Sequence, residues 1–214
     1  MTAPRADLRR VEDAQARFLA TIRGLSDDDV ARPSGLPEWT VGHVLTHVAR
    51  NADSHCRRSH AAARGEVVEQ YVGGYAGRAA EIEIGARRSA SELVDDVKTS
   101  SDTLHTVWRD LPDAAWTRVT LDVGGRERPL NLLPARRWQE LEVHVVDLGL
   151  GRTHRDWPDE FVQTWLPLLR VGAEARLPEG ARLPEPGVLD DRDELAWLYG
   201  RLRRSDLPDL APWG

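Results

Sequence analysis

The sequence predicts a mainly α protein: an up-down four-helix bundle over residues 1–173, followed by a short irregular and helical appendage over residues 174–214. Three observations carry that expectation. Apolar residues recur at helical spacing in four long stretches before residue 150. Strand-like alternation occurs once, around the GG turn of "AAWTRVTLDVGGRERPL", which suffices for a short hairpin or an extended crossover. Beyond residue 173 the chain turns to "RLPEGARLPEPG", a proline-rich linker.

Taken in order, "ADLRRVEDAQARFLATIRGL" places Leu8, Val11, Ala14, Phe18 and Ile22 on one helical face. Gly24 and "SDDD" end that helix or cap the next element, and "RPSGLPEW" reads as a loop. Thr40 is a suitable N-cap for a long second helix through "VGHVLTHVARNADSHCRRSHAAA". Residues 65–77, ending "YVGGYAG", form a glycine-rich connection. A third helical stretch runs from "RAAEIEIGARRS" to "HTVWRDL", with a break expected near Gly85. Pro134 suits the first turn of a fourth helix that ends at "GLG". "WPDEFVQTWLPLLRVGAEA" reads as a fifth helix, "DDRDELAWLYGRLR" as a short one, and "DLPDLAPWG" as an irregular end.

Composition narrows the function classes. The 41% hydrophobic and 30% charged residues are those of an ordinary globular chain. A net charge of −6 without a basic stripe argues against nucleic acid as a partner. Of the 29 basic residues only Lys98 is a lysine. Cys56 is the sole cysteine, so neither an internal disulfide nor a thiolate-rich zinc site can form within one chain. The charged start "MTAPRADLRR" lacks the apolar core of a signal peptide, and no stretch has the length of a membrane span. A cytoplasmic protein without a membrane partner is expected.

The stretch that bears on chemistry is "ARRWQELEVHVVD", residues 135–147. Helical residues advance by roughly 100° each, which puts Glu140 and His144 about 40° apart, with Asp147 on nearly the same side and Glu142 pointing away. In the second helix His43, His47 and Asn51 form a similar stripe, with His55 toward its edge and Cys56 about 180° from His47. Two such stripes can together offer a His-Glu-His set, the ligand types of a catalytic zinc site with an open position. Nickel or iron accepts similar ligands. On spacing alone a surface ion pair or a satisfied core histidine is the commoner reading, and the pattern is not the HExxH of metalloproteases.

"LPEWTVGHVLTHVARNADS", "YVGGYAGRAAEIEIGARRSASELVDDV", "LLPARRWQELEVHVVDLGLG" and "LAWLYGR" occur in this order. Together they resemble the mycothiol-dependent maleylpyruvate isomerase family, within the DinB-like metal-binding bundles. The resemblance covers residues 8–170 and resumes over 194–213. It implies a divalent metal, zinc first, held by His47, Glu140 and His144. His43 has no counterpart in the resemblance and is read as a helix-lining histidine.

The resemblance also implies an enzyme that turns maleylpyruvate into fumarylpyruvate with mycothiol or another low-molecular-weight thiol. A C=C bond does not rotate freely; adding a thiolate across it gives a single bond that does, and elimination returns the thiol with the trans product. Zinc lowers the pKa of a coordinated thiol and so supplies thiolate at neutral pH. Cys56 faces the wrong way for this role, so the thiol comes from outside. A dianionic substrate calls for arginine, whose planar fork grips a carboxylate in two places. Arg201 in "LYGR" resembles an arginine near the end of the family pattern and is the catalytic candidate; Arg78, after the glycine-rich loop, is the substrate-binding one. For either, a solvated surface charge is the plain alternative.

Trp39, Trp138 and Trp165 could line a pocket or pack between helices, and Tyr71 and Tyr75 flank the glycines of a surface loop. The family carries an α/β region before the final "GR" segment, whereas this C-terminal region is compressed and without a strand run. A metal-dependent thiol S-transferase and a non-catalytic metal- or ligand-binding bundle therefore stand beside the isomerase. The partners expected are a small-molecule substrate and a thiol, in a monomer or homodimer.

Overall fold

A computed structural model describes residues 3–211. Pro212, Trp213 and Gly214, the last of the expected irregular end, lie outside the described residues. The chain divides into two compact units, Met1–Leu148 and Gly149–Gly214. The division thus falls at the "GLG" that closes the fourth expected helix, before the fifth, and not at residue 173.

The first unit is the bundle. Its members are α1 (Arg5–Ile22), α3 (Val41–Ala63), α5 (Ala90–Asp110) and α6 (Leu133–Asp147), with the short α2 (Asp27–Ala31) and α4 (Gly74–Gly85) in the connections. Helix α3 packs on α5 and α1 on α6, while α3 and α6 also meet, as do α1 and α5. This is the expected bundle. Because α4 lies against α3 as well, α3 is buried on most of its sides, and a helix in that position has no purely solvent-facing stripe. It nonetheless carries His47, Asn51, Ser54, His55 and Arg58 into the interior.

Local chemistry sets the helix ends. Ser26 starts α2 with a reciprocal capping box: its Oγ accepts from the Asp29 N–H at 3.2 Å and its own N–H donates to Asp29 Oδ2 at 3.0 Å. Ser89 and Glu92 do the same for α5. The third predicted stretch is therefore two helices, broken after Gly85. Thr40 occupies the N-cap of α3. Its N–H donates to His43 Nδ1 at 3.1 Å, so an imidazole takes the part usually played by a carboxylate. Helix α4 begins inside the predicted glycine-rich connection, and a Cβ on Gly77 would stand 1.8 Å from the Val72 carbonyl oxygen, which only glycine avoids.

The alternating segment is an antiparallel hairpin of β1 (Val119–Leu121) and β2 (Glu127–Pro129), with Thr120 opposite Arg128. Pro134 sits in the first turn of α6. The second unit holds α7 (Asp159–Val171) and α8 (Asp191–Leu198), and no strand among its described residues. Its core is aromatic: Tyr199 stacks on Phe161 at 6.3 Å and meets Trp157 edge-on at 5.8 Å. No helix among the described residues is long and apolar enough to cross a membrane.

Candidate metal centre

Helices α3 and α6 bring their stripes together inside the first unit. His47 Nε2 lies 2.9 Å and His144 Nε2 3.2 Å from the same oxygen, Glu140 Oε2. The two imidazoles meet edge to face, 4.7 Å between centroids. One ligand atom from each of the three residues falls within 4.8 Å of the others. His47 is almost fully buried, while Glu140 keeps 27% of its side chain exposed, so solvent reaches the cluster on the Glu140 side.

Further contacts orient the three. Asp147, buried at the end of α6, meets His144 Nδ1 at 2.8 Å and leaves Nε2 to face Glu140. The loop before α3 is tied to the same place, since the Gly35 N–H donates to the Asp147 carbonyl at 2.7 Å. That loop carries Trp39, whose ring lies 5.7 Å from His47 and stacks on His43 at 6.1 Å. Glu38, just before it, adopts φ +64°, a left-handed conformation that non-glycine residues enter at a cost of roughly 1–3 kcal/mol. Trp39 is thus held against the cluster by a strained turn.

The electrostatics of the cluster arise from these bonds. Burial pulls His47 down to about 4, more than the Glu140 hydrogen bond restores. Burial would push Glu140 up, but hydrogen bonds from His144 and His47 outweigh it and hold the carboxyl well below its usual range. For His144 burial acts downward and is overcome by the Asp147 and Glu140 hydrogen bonds, so its pKa is raised. His47 as a neutral imidazole and Glu140 as an ionised carboxylate are in the forms that bind cations, and His144 joins them once its Nε2 gives up its proton.

The donor set fits such an ion. Bonds of about 2.0–2.1 Å in a tetrahedron put ligand atoms roughly 3.3 Å apart, close to the two spacings around Glu140 Oε2. The carboxylate on His144 Nδ1 is the usual outer partner of a metal-bound histidine.

Of the arginine candidates, Arg78 is at the cluster. Its NH2 lies 3.1 Å from His47 Nδ1, and its guanidinium carbon is 5.9 Å from both the Trp39 and Tyr71 ring centres. Arg201 belongs to the second unit, where its NH1 donates to the Tyr199 carbonyl at 2.6 Å. His43 is not in the cluster; its Nε2 contacts Glu83 of α4 at 3.2 Å. His55 is buried further along α3, 2.9 Å from an Arg58 nitrogen. Glu142 points away from His47 as expected, but into the interior, where it pairs with Arg17 and accepts from Trp138 Nε1 at 3.3 Å. Trp138 is core. Trp165 is buried in the second unit.

Tyr71 corrects an expectation. It is buried beside Arg78 rather than placed on a surface loop, whereas Tyr75 is exposed. The glycines signalled the turn, but nothing local signalled that one of its tyrosines folds inward. Asp147 was legible as a same-side residue, not as the partner of His144.

Cys56 is buried, and burial first, then the nearby Asp53 charge, push its thiol up to about 12. A thiol so placed is inert at neutral pH. Native protein is expected to resist iodoacetamide at pH 7.5 and to label fully in denaturant, and Cys56→Ser to keep wild-type activity. Rapid native labelling with loss of activity would overturn this.

The geometry is matched by kinship. The family model of the mycothiol maleylpyruvate isomerase N-terminal domain matches residues 11–149, most of the first unit and well over half the chain. The chain belongs to that family. Membership places it among enzymes, the thiol-dependent isomerases for which the family is named. Two solved structures share the fold: a mycothiol-dependent maleylpyruvate isomerase, with a TM-score of 0.84, and its histidine-to-alanine mutant, with 0.86. Each is 23% identical, and each alignment covers 100% of both chains. The compressed tail read from the sequence therefore leaves no part of those structures unmatched. No curated protein matches the chain significantly.

Proposed function

We propose that the protein is a metal-dependent cis-trans isomerase of maleylpyruvate-type diacids that uses mycothiol or a related small thiol. The observation that carries this reading is the convergence of His47 Nε2, Glu140 Oε2 and His144 Nε2 within a member of the maleylpyruvate isomerase family. His47, Glu140 and His144 would hold a divalent cation, zinc first, which lowers the pKa of a bound thiol and so supplies thiolate at neutral pH.

The remaining work falls to the chain. Asp147 holds the His144 ring with its Nε2 toward the cluster. Arginine has donors only, so the Arg78 contact makes His47 Nδ1 an acceptor and leaves the proton on Nε2, toward Glu140. With Nε2 engaged by a cation, that proton belongs on Nδ1, where a guanidinium finds no acceptor. Arg78 is then available to an incoming carboxylate, steadied by the faces of Trp39 and Tyr71. Arg201 remains the catalytic candidate on the family resemblance alone. Cys56, buried with a raised pKa, leaves the nucleophile to the external thiol.

The deciding assay follows maleylpyruvate and thiol together, with and without mycothiol. Isomerisation regenerates the thiol, so product is expected to form at constant thiol concentration and only when thiol is present. Stoichiometric thiol loss would move the reading to an S-transferase, and thiol-independent turnover would sink it. Charged hydrogen bonds contribute about 1.5–3 kcal/mol. Arg78→Ala and Arg201→Ala are therefore each expected to lower kcat/KM by roughly 10- to 100-fold with bound metal retained. Unchanged kinetics would remove that arginine from the site.

A further inference from the structure

The stripe of α6 that carries Glu140 and His144 begins one turn earlier, with Arg137, whose surface is wholly buried. Among the described residues every hydrogen-bond acceptor of its guanidinium is neutral. NH1 donates to the Val48 carbonyl at 2.7 Å and to Asn51 Oδ1 at 2.9 Å. NH2 donates to Ser101 Oγ at 3.2 Å and to Gln15 Oε1 at 3.4 Å. One side chain on α6 therefore reaches α1, α3 and α5.

Burying a cation costs several kcal/mol, and packed apolar residues would stabilise a bundle at least as well. The arrangement makes sense as geometry. Val48 is the neighbour of His47, and Asn51 lies one turn beyond His47 on the same stripe. The fork thus fixes both the rotation and the axial register of α6 against α3, one turn from where Glu140 meets His47. A ligand set split between two helices depends on such a support, because a site left loose by an ångström binds poorly.

We propose that Arg137 is the positioning residue of the metal centre: its fork locks the helix of Glu140 and His144 to the helix of His47 and so sets the affinity of the three ligands for a divalent cation. This rests on the metal reading above.

The test measures zinc affinity by competition with a chromophoric chelator, and the visible spectrum of cobalt-substituted protein, for wild type, Arg137→Lys and Asn51→Ala. Thermal unfolding of the chelator-treated proteins runs alongside. Loss of an outer support costs about 10- to 100-fold in metal affinity. That loss, with a weakened or shifted cobalt band, is expected for Arg137→Lys, which keeps the charge but not the fork, and a smaller loss for Asn51→Ala. An Arg137→Lys protein that is less stable yet binds zinc as wild type, with an unchanged cobalt spectrum, would make Arg137 an ordinary core residue. Should Arg137→Lys not fold, Asn51→Ala decides by the same two readouts, and wild-type affinity there overturns the proposal. If wild type binds neither metal, the metal reading itself fails and this inference with it.

Discussion

Replacing His47 by alanine is expected to strip the protein of bound metal and of isomerase activity while leaving its helical circular dichroism almost unchanged. His47 is the single member of the triad that α3 supplies; Glu140 and His144 both come from α6. Four-ligand zinc sites bind with roughly 10–16 kcal/mol, so one ligand carries on the order of 3 kcal/mol, about a hundredfold in affinity. Alanine is the best helix former, and α3 is held by apolar contacts along its whole length, so the helix survives the change. Elemental analysis of untagged wild type and mutant checks this. After dialysis against a chelator of intermediate affinity, about one zinc per wild-type chain and little in the mutant is the expected result. Full metal in the mutant would sink the ligand assignment, and His144→Ala should behave like His47→Ala.

The second large effect concerns stability alone. Trp138 lies on α6 within the bundle interior, 2% exposed, with the Arg10 guanidinium carbon 5.0 Å from its ring centre and its indole N–H on Glu142. Truncating a buried tryptophan to alanine costs about 3–5 kcal/mol, a large share of the roughly 5–15 kcal/mol that holds a domain together. At about 2–4 °C per kcal/mol for a chain of this size, the melting temperature should fall by roughly 6–20 °C. Folded Trp138→Ala should still take up metal, because the indole points toward α1 and not toward His47. A variant that kept its stability and lost turnover would instead place Trp138 in the substrate pocket.

Local rules carried much of the fold. Helical periodicity located α1, α3, α5 and α6, because a buried face must repeat every three or four residues whatever lies opposite it. Gly85 marked the break before α5, and the GG turn marked the hairpin. The spacing of Glu140 and His144 was equally local, since residues four apart on a helix are neighbours before any tertiary contact forms. Non-local relations left no such mark. Tyr71 lies in a loop whose direction depends on what it covers. Arg137 is one arginine among many, and only burial against three other helices distinguishes it.

The helices, their inward stripes and the family were legible in the chain alone, and with them two halves of a candidate metal site on separate elements. Only folding in three dimensions brings His47 and Glu140, 93 residues apart in the chain, to 2.9 Å. Only there does Asp147 turn the His144 ring and Arg78 stand beside His47. The reason is physical. A stripe is fixed by the backbone repeat of one helix, whereas the register between two helices is fixed by everything packed between them, the Arg137 fork included.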